Sequence, residues 1–347
     1  MLKKHPLITF IIFGFILFLI SNRIDELAVY QGATVAIYVI AIASLILLTG
    51  YSGQISLGHG ALMAIGGYAA VLVRINFNAP VWLCFVVAVL AAAVGGALLG
   101  LAAARLSGPY LAGTTLALAI GLPSIANEFS FLGGEQGFIF DVGFPPASLG
   151  EDFTQYKWYF WISWSAALIA TYWLRHVLNS RYGRSWRAVR SNDVAAELAG
   201  IHVGRNKVLA FTISAGLAGL AGALLGMILL VSPGAFPLAL SFSLATGAVL
   251  AGVTTLGGVM IGAVTLVAIP EIALAIADRY GGSETITLNL PGLLVSGLLI
   301  LTVLLVPNGP VEQMHARRAK HAKSGKASHS PVELTLRVGS KTWSTKK

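Results

Sequence analysis

Apolar runs of membrane length recur along almost the whole of this chain. Residues 7–20, 27–49, 81–104, 208–231 and 286–306 carry no charged side chain. A run of about 20 such residues, wound as a helix, matches the ~30 Å hydrocarbon core of a bilayer. Lipid offers the backbone no hydrogen bonds, so segments of this kind must satisfy their own amides. Composition agrees: 56% of the 347 residues are hydrophobic and 11% charged, against roughly 25% charged in a soluble domain. Mean hydropathy is +0.80. The expectation is an all-α, polytopic helical membrane protein with about eight to ten transmembrane helices. Cys84 is the only cysteine, which excludes an intramolecular disulfide.

One long charge-rich interruption stands out, residues 180–207. It holds Arg181, Arg184, Arg187, Arg190, Arg205 and Lys207 against Asp193 and Glu197. The positive-inside bias places such a loop in the cytoplasm. Residues 185–190 read as a short helix begun after Gly183. Asn192 or Ser191 caps a second, 193–199, with Asp193 at its positive end and Gly200 stopping it. Val194 and Leu198 share one side of that helix beside Ala195 and Ala199, as a docking surface would. The bland alternative is a solvated basic loop that only sets topology.

A second stretch is unusual for the opposite reason. Gly50, Ser52, Gly53, Gln54, Ser56, Gly58, His59 and Gly60 crowd glycines and polar groups into an apolar context. Irregular backbone at membrane depth is tolerated only when buried in protein or lining a wet cavity, and carriers build solute sites from such breaks. Gln54, Ser52 and Ser56 are neutral polar groups suited to a zwitterionic solute, or else they bond between helices at about 0.6 kcal/mol per contact. His59 reads first as packing and second as pathway. Gly53, Thr114, Thr115, Thr254 and Thr255 are further pathway candidates, Thr114 and Thr115 against back-bonding to their own helix. Residues 241–271 are too long for one plain span, and Thr254, Thr255, Gly257 and Gly258 interrupt them, giving a second expected break. The two breaks fall in corresponding places of two pseudo-repeated halves and are both expected near the midplane.

These strings carry a resemblance. Arg181-x-Gly183-Arg184, Arg187-Ala188-Val189-Arg190 and Asp193-x-Ala195-Ala196-Glu197-x-x-Gly200-Ile201 resemble the ATPase-coupling loop of bacterial ATP-binding-cassette importer permeases. The stretch 50–60 resembles the GxxGQxSLGH signature of the branched-chain amino acid permease family, in its M-type subunit. The string GPYLAxxTLA at 108–117 and the pair Pro270-Glu271 are similar too. The family's GGxGT-like string is replaced here by AGVTTLGG at 251–258, and Leu132 stands where a threonine is common. What the resemblance implies is an importer subunit for branched-chain or related amino acids, urea and short amides remaining open. It would pair with a homologous permease, two cytoplasmic ATPases and an external solute-binding protein. The loop would then carry the coupling contacts, through Arg181, Gly183, Arg184, Arg187, Arg190, Asp193, Ala195, Ala196, Glu197 and Gly200.

The domain plan follows. Residues 1–26 form a first transmembrane helix and short external turn. Residues 27–309 form the permease domain with its loop at 180–207, and 310–347 a basic tail without structure. Both termini are placed in the cytoplasm and the acidic segment 128–157 outside. The net charge of +9 sits largely in the loop and tail, which points to anionic lipid and protein partners rather than nucleic acid. No cofactor, metal or catalytic group is expected: there is no GxxxxGK[ST], HExxH or CxxC. An ion-coupled carrier or channel remains the alternative, and an intramembrane lipid-modifying enzyme the second. The scarcity of carboxylates within spans speaks against both.

Overall fold

The computed structural model describes residues 6–21, 23–106, 108–150, 153–252, 256–279, 284–305, 336–338 and 341–343. Ten long helices correspond to the apolar runs of the sequence. They are α1 (Pro6–Ser21), α2 (Glu26–Leu45), α3 (His59–Phe77), α4 (Val81–Ala103), α5 (Pro109–Glu128), α6 (Gln155–Asn179), α9 (Val203–Ile228), α10 (Leu238–Ala251), α11 (Val259–Arg279) and α12 (Glu284–Leu305). Two short helices, α7 (Arg181–Ser191) and α8 (Asp193–Leu198), lie in the charged loop. Among the described residues seven helices are long and apolar enough to cross a membrane: α2, α3, α4, α5, α9, α10 and α11, with α2, α10 and α11 extended by adjoining turns. The protein is thus a polytopic helical membrane protein.

Small residues set how closely the central helices pack. Gly96 and Gly100 of α4 face α9: a Cβ on Gly96 would stand 2.2 Å from the Ala215 Cβ, and one on Gly100 2.8 Å from the Val208 Cα. Gly222 of α9 faces α3 so tightly that a Cβ would fall 1.8 Å from the Met63 carbonyl oxygen. Gly219 sits between Gly66 of α3 and Ala88 and Ala92 of α4. Without a hydrophobic drive between helices in lipid, such backbone approach is a main source of cohesion. The triplet α3, α4 and α9 is therefore zipped along its length, and α2 packs against its flank and against α6.

At one end, residues 129–150 fold back on the bundle. Phe138 and Val231 exchange both backbone hydrogen bonds at 2.9 Å. Arg74 at the end of α3 donates to the Asp141 carbonyl at 3.0 Å and the Ala79 carbonyl at 2.9 Å. The charged loop follows α6, whose 25 residues carry the chain about 37 Å, so it lies at the opposite end.

Two expectations need correction. The first break was expected at mid-depth, yet α3 alone is 19 residues long, about 28 Å, close to a full hydrocarbon thickness. Its start, and the break before it, therefore lie at the charged-loop end of the bundle. The first loop helix begins at Arg181, not after Gly183. The Ser180 hydroxyl accepts from the Tyr182 amide at 3.2 Å and caps it, as N-cap serines do. The second break does separate α10 from α11, but Thr254 and Thr255 lie outside the described residues. Within the tail expected to lack structure, Leu336–Val338 pairs antiparallel with Lys341–Trp343. The remainder of 310–347 lies outside the described residues.

Candidate functional site

The two stretches singled out in the sequence meet in space. After Leu45 the α2 helix loosens into a wider π-turn, Ile46–Tyr51, a form frequent at functional sites. Its end carbonyls, like those of any helix, need partners from elsewhere. The Ser52 amide reaches back to the Leu47 carbonyl and the Gln54 amide to the Leu48 carbonyl, both at 3.1 Å. The Gly50 carbonyl is taken by a guanidinium nitrogen of Arg190, from α7. Arg187, one turn earlier, lies over the Tyr51 ring at 5.7 Å. Gly53 sits at φ +73°, where an added Cβ would stand 2.9 Å from the Arg190 Cγ. Glycine is needed there both for the backbone angle and for the space.

The irregular residues 52–58 are held largely by side chains rather than by a ladder. Ser52, Gln54 and Ser56 are buried, as are His59 and Thr115. The Gln54 side-chain amide donates to the Ser52 hydroxyl and, at 3.4 Å, to the Lys207 carbonyl. Thr115 of α5 accepts from the Leu57 amide at 3.0 Å while donating to the Ala112 carbonyl at 3.0 Å. Ser241 of α10 accepts from the Gly60 amide at 2.9 Å. Thr114 turns away and bonds to the Tyr110 carbonyl at 2.9 Å; it does not join the cluster.

His59 belongs to a separate interhelical chain. Its Nε2 pairs with the Ser44 hydroxyl at 2.7 Å. Ser44 also donates to the Ala41 carbonyl, and Ser214 of α9 donates to the Ser44 carbonyl, both at 2.7 Å. With the Ser44 proton on Ala41, the histidine must donate from Nε2, leaving Nδ1 the unprotonated nitrogen. His59 thus ties α3 to α2, while its Nδ1 has no partner among the described residues.

The charged loop is a compact foot. Gly183, Trp186 and Val189 form the buried face of α7, three residues apart. Trp186 is fully buried and its indole nitrogen donates to the Asn206 carbonyl at 3.0 Å. A Cβ on Gly183 would fall 2.0 Å from the Leu178 carbonyl oxygen. The Asn192 side chain caps α8 by accepting from the Ala195 amide at 3.0 Å. Asp193 holds Lys207 at 2.6 Å. Only Ala196 of α8 is buried. Val194 and Leu198 are 67% and 85% exposed, an apolar pair standing clear of the rest of the chain. Ala195, Glu197, Gly200, Arg181 and Arg184 are exposed as well. Sequence reasoning missed Trp186, Ser44, Ser214, Ser241 and Tyr51 as parts of this assembly. Only Trp186, an indole in a charged loop, gave a signal that could have been read.

The comparisons with known proteins decide the class. A family profile described as "Branched-chain amino acid transport system / permease component" matches residues 28–304. The chain belongs to this family. Two similar relatives are the high-affinity branched-chain amino acid transport system permease proteins LivM of Escherichia coli K12 and of Salmonella typhimurium. Each is 28% identical to the chain, over 79% and 84% of it and 67% and 71% of the respective relative. LivH of Salmonella typhimurium is 29% identical over 55% of the chain and 54% of its own length. No solved structure matches significantly. The family resemblance read from the 50–60 and 181–201 strings is therefore correct.

Proposed function

We propose that this permease carries branched-chain or related aliphatic amino acids inward across the bacterial inner membrane. ATP hydrolysis on two separate cytoplasmic subunits would supply the work. In this reading the 181–200 loop faces the cytoplasm, as do both termini, and α8 seats in a groove of an ATPase subunit through Val194 and Leu198. A homologous permease completes the pathway and an external solute-binding protein delivers solute. The observation that carries the proposal is the direct link between foot and break. Arg190 and Arg187 of α7 hold Gly50 and Tyr51, so a push on the foot arrives at the irregular segment without an intermediary. Ser52, Gln54, Ser56 and Thr115 then border the path that opens there, with Gly53 as its pivot.

Reconstitution tests it. The permease, its partner permease and two ATPases go into proteoliposomes with binding protein and radiolabelled leucine outside, and ATP inside. Leucine accumulation that requires ATP and the binding protein is the expected result. Uptake that follows a proton or sodium gradient and ignores ATP would replace the importer with an ion-coupled carrier.

A further inference from the structure

A groove of about 710 Å³ runs between α6 and α11, which flank α2 and leave it as the floor. Its walls are apolar over most of their length: Val39 of α2, Trp164, Ala167 and Leu168 of α6, and Val259 and Met260 of α11. Thr171 also lines it but spends its hydroxyl on the Ala167 carbonyl at 2.6 Å. Free polar groups are confined to the end where the foot begins. There Arg175 and Asn179 are exposed and line the groove. Arg175 has no hydrogen bond or ion pair among the described residues. Arg184 donates to the Asn179 carbonyl at 3.3 Å, and Arg187 lies over the ring of Tyr51, itself part of the lining. Three guanidinium groups thus gather at this mouth, and none of the described lining residues is a carboxylate.

The dimensions select the occupant. From Trp164 to Asn179 the α6 wall is about 22 Å long, against ~15 Å for one leaflet of a ~30 Å hydrocarbon core. The groove therefore reaches from headgroup depth to the middle of the bilayer. Spread over that length, its volume gives a mean section of about 32 Å². A helix with its side chains is 10–12 Å across and needs more than twice that section, so a helix of another subunit does not fit, whereas an extended acyl chain does. We propose that the groove holds one anionic phospholipid of the leaflet on the foot's side. An acyl chain lies against Val39, Leu168 and Met260, and the phosphate meets Arg175 and the Asn179 side-chain amide. Basic pockets between membrane helices favour anionic headgroups in this way. A zwitterionic lipid brings an ammonium group that meets arginines and no lining carboxylate. The bound lipid touches the root of the foot and the first turn of α11 together, and stabilises the arrangement it binds. The proposal needs only the membrane-spanning fold and stands apart from the importer reading.

Titrating phosphatidylglycerol or phosphatidylethanolamine into the detergent-purified full-length permease, with retained lipid counted by native mass spectrometry, tests the site. Saturable retention of one phosphatidylglycerol, about tenfold tighter than phosphatidylethanolamine, is expected. Arg175→Gln, at an exposed position where folding is not at stake, should remove most of that preference. Thr171→Trp, which fills the groove, should abolish retention of both lipids. Arg105→Gln removes an exposed arginine that does not line the groove and should change nothing. Equal retention of the two lipids, or wild-type retention in both Arg175→Gln and Thr171→Trp, overturns the site. So does an equal loss in Arg105→Gln and Arg175→Gln, which would mark a diffuse charge effect. Release of the lipid on assembly with the partner permease would make the groove a subunit contact and also overturn it. ATP-driven leucine uptake without lipid retention overturns the lipid site alone, and retention without such uptake overturns the importer reading alone.

Discussion

Arg190→Ala removes the guanidinium that joins the foot to the broken segment. A hydrogen bond to a charged group contributes about 1.5–3 kcal/mol, and a buried carbonyl left without a partner costs about 1–3 kcal/mol. These describe one event and are not summed. Arg190 is itself largely exposed while Gly50 is buried, so a value of about 2 kcal/mol is reasonable. At 1.4 kcal/mol per factor of ten, that weakens the tie between foot and break about 30-fold. If α8 is the ATPase contact, as proposed, ATP turnover should persist, while leucine moved per ATP in proteoliposomes should fall by roughly tenfold or more. Arg190→Lys keeps the charge without the planar fork and should restore part of the ratio. A wild-type leucine-to-ATP ratio in Arg190→Ala would refute the reasoning. So would a parallel loss of uptake and ATP turnover, since it would make Arg190 a docking residue.

Four other outcomes follow from the packing. Gly222→Ala puts a Cβ 1.8 Å from the Met63 carbonyl oxygen and should destabilise the bundle by about 3 kcal/mol, read as a drop in thermal unfolding temperature. Gly113→Ala, on α5 with open space around it, should be neutral or stabilising by up to about 1 kcal/mol. Val194→Asp or Leu198→Asp should abolish co-purification of the ATPases while membrane insertion and unfolding temperature stay unchanged, because neither side chain is buried. Ser44→Ala removes the only protein partner that the described residues give His59 Nε2, and should cost about 1–3 kcal/mol of stability, measurable by thermal unfolding in detergent.

The architecture was legible because lipid imposes one rule on every span: apolar length. The foot's second helix could be read from Asn192, Asp193 and Gly200, all local signals, whereas the first starts earlier than Gly183 suggested. What the sequence did not reveal was depth and partnership. Nothing local distinguishes a glycine-rich break at mid-membrane from one at the end of a full-length α3, because the difference depends on where α3 stops. Nor does any pattern link Arg190 to Gly50, 140 positions away. Thr114 and Thr115 look alike in the chain, and only the packing of α5 brings one to Leu57 and leaves the other bonded back to the Tyr110 carbonyl.

The same contacts decide where movement goes. The zipped helices α3, α4 and α9 have backbone within contact of backbone, so sliding one past another meets steric resistance at every turn. Residues 52–60 are held differently. The amides of Ser52, Gln54, Leu57 and Gly60 each have one partner, on Leu47, Leu48, Thr115 and Ser241, and each such bond contributes only about 0.5–1.5 kcal/mol. A force entering through Arg190 therefore parts this segment before it bends the core. Local opening of that kind exposes amides to exchange at a free energy below that of global unfolding. In hydrogen–deuterium exchange of the lipid-reconstituted protein, peptides covering 52–60 should exchange at least tenfold faster than peptides covering 214–227 of α9. ATP bound to the ATPases should change the first set and leave the second alone. Equal protection in both regions would place the moving part elsewhere, and the foot would then be pushing on something other than the break it touches.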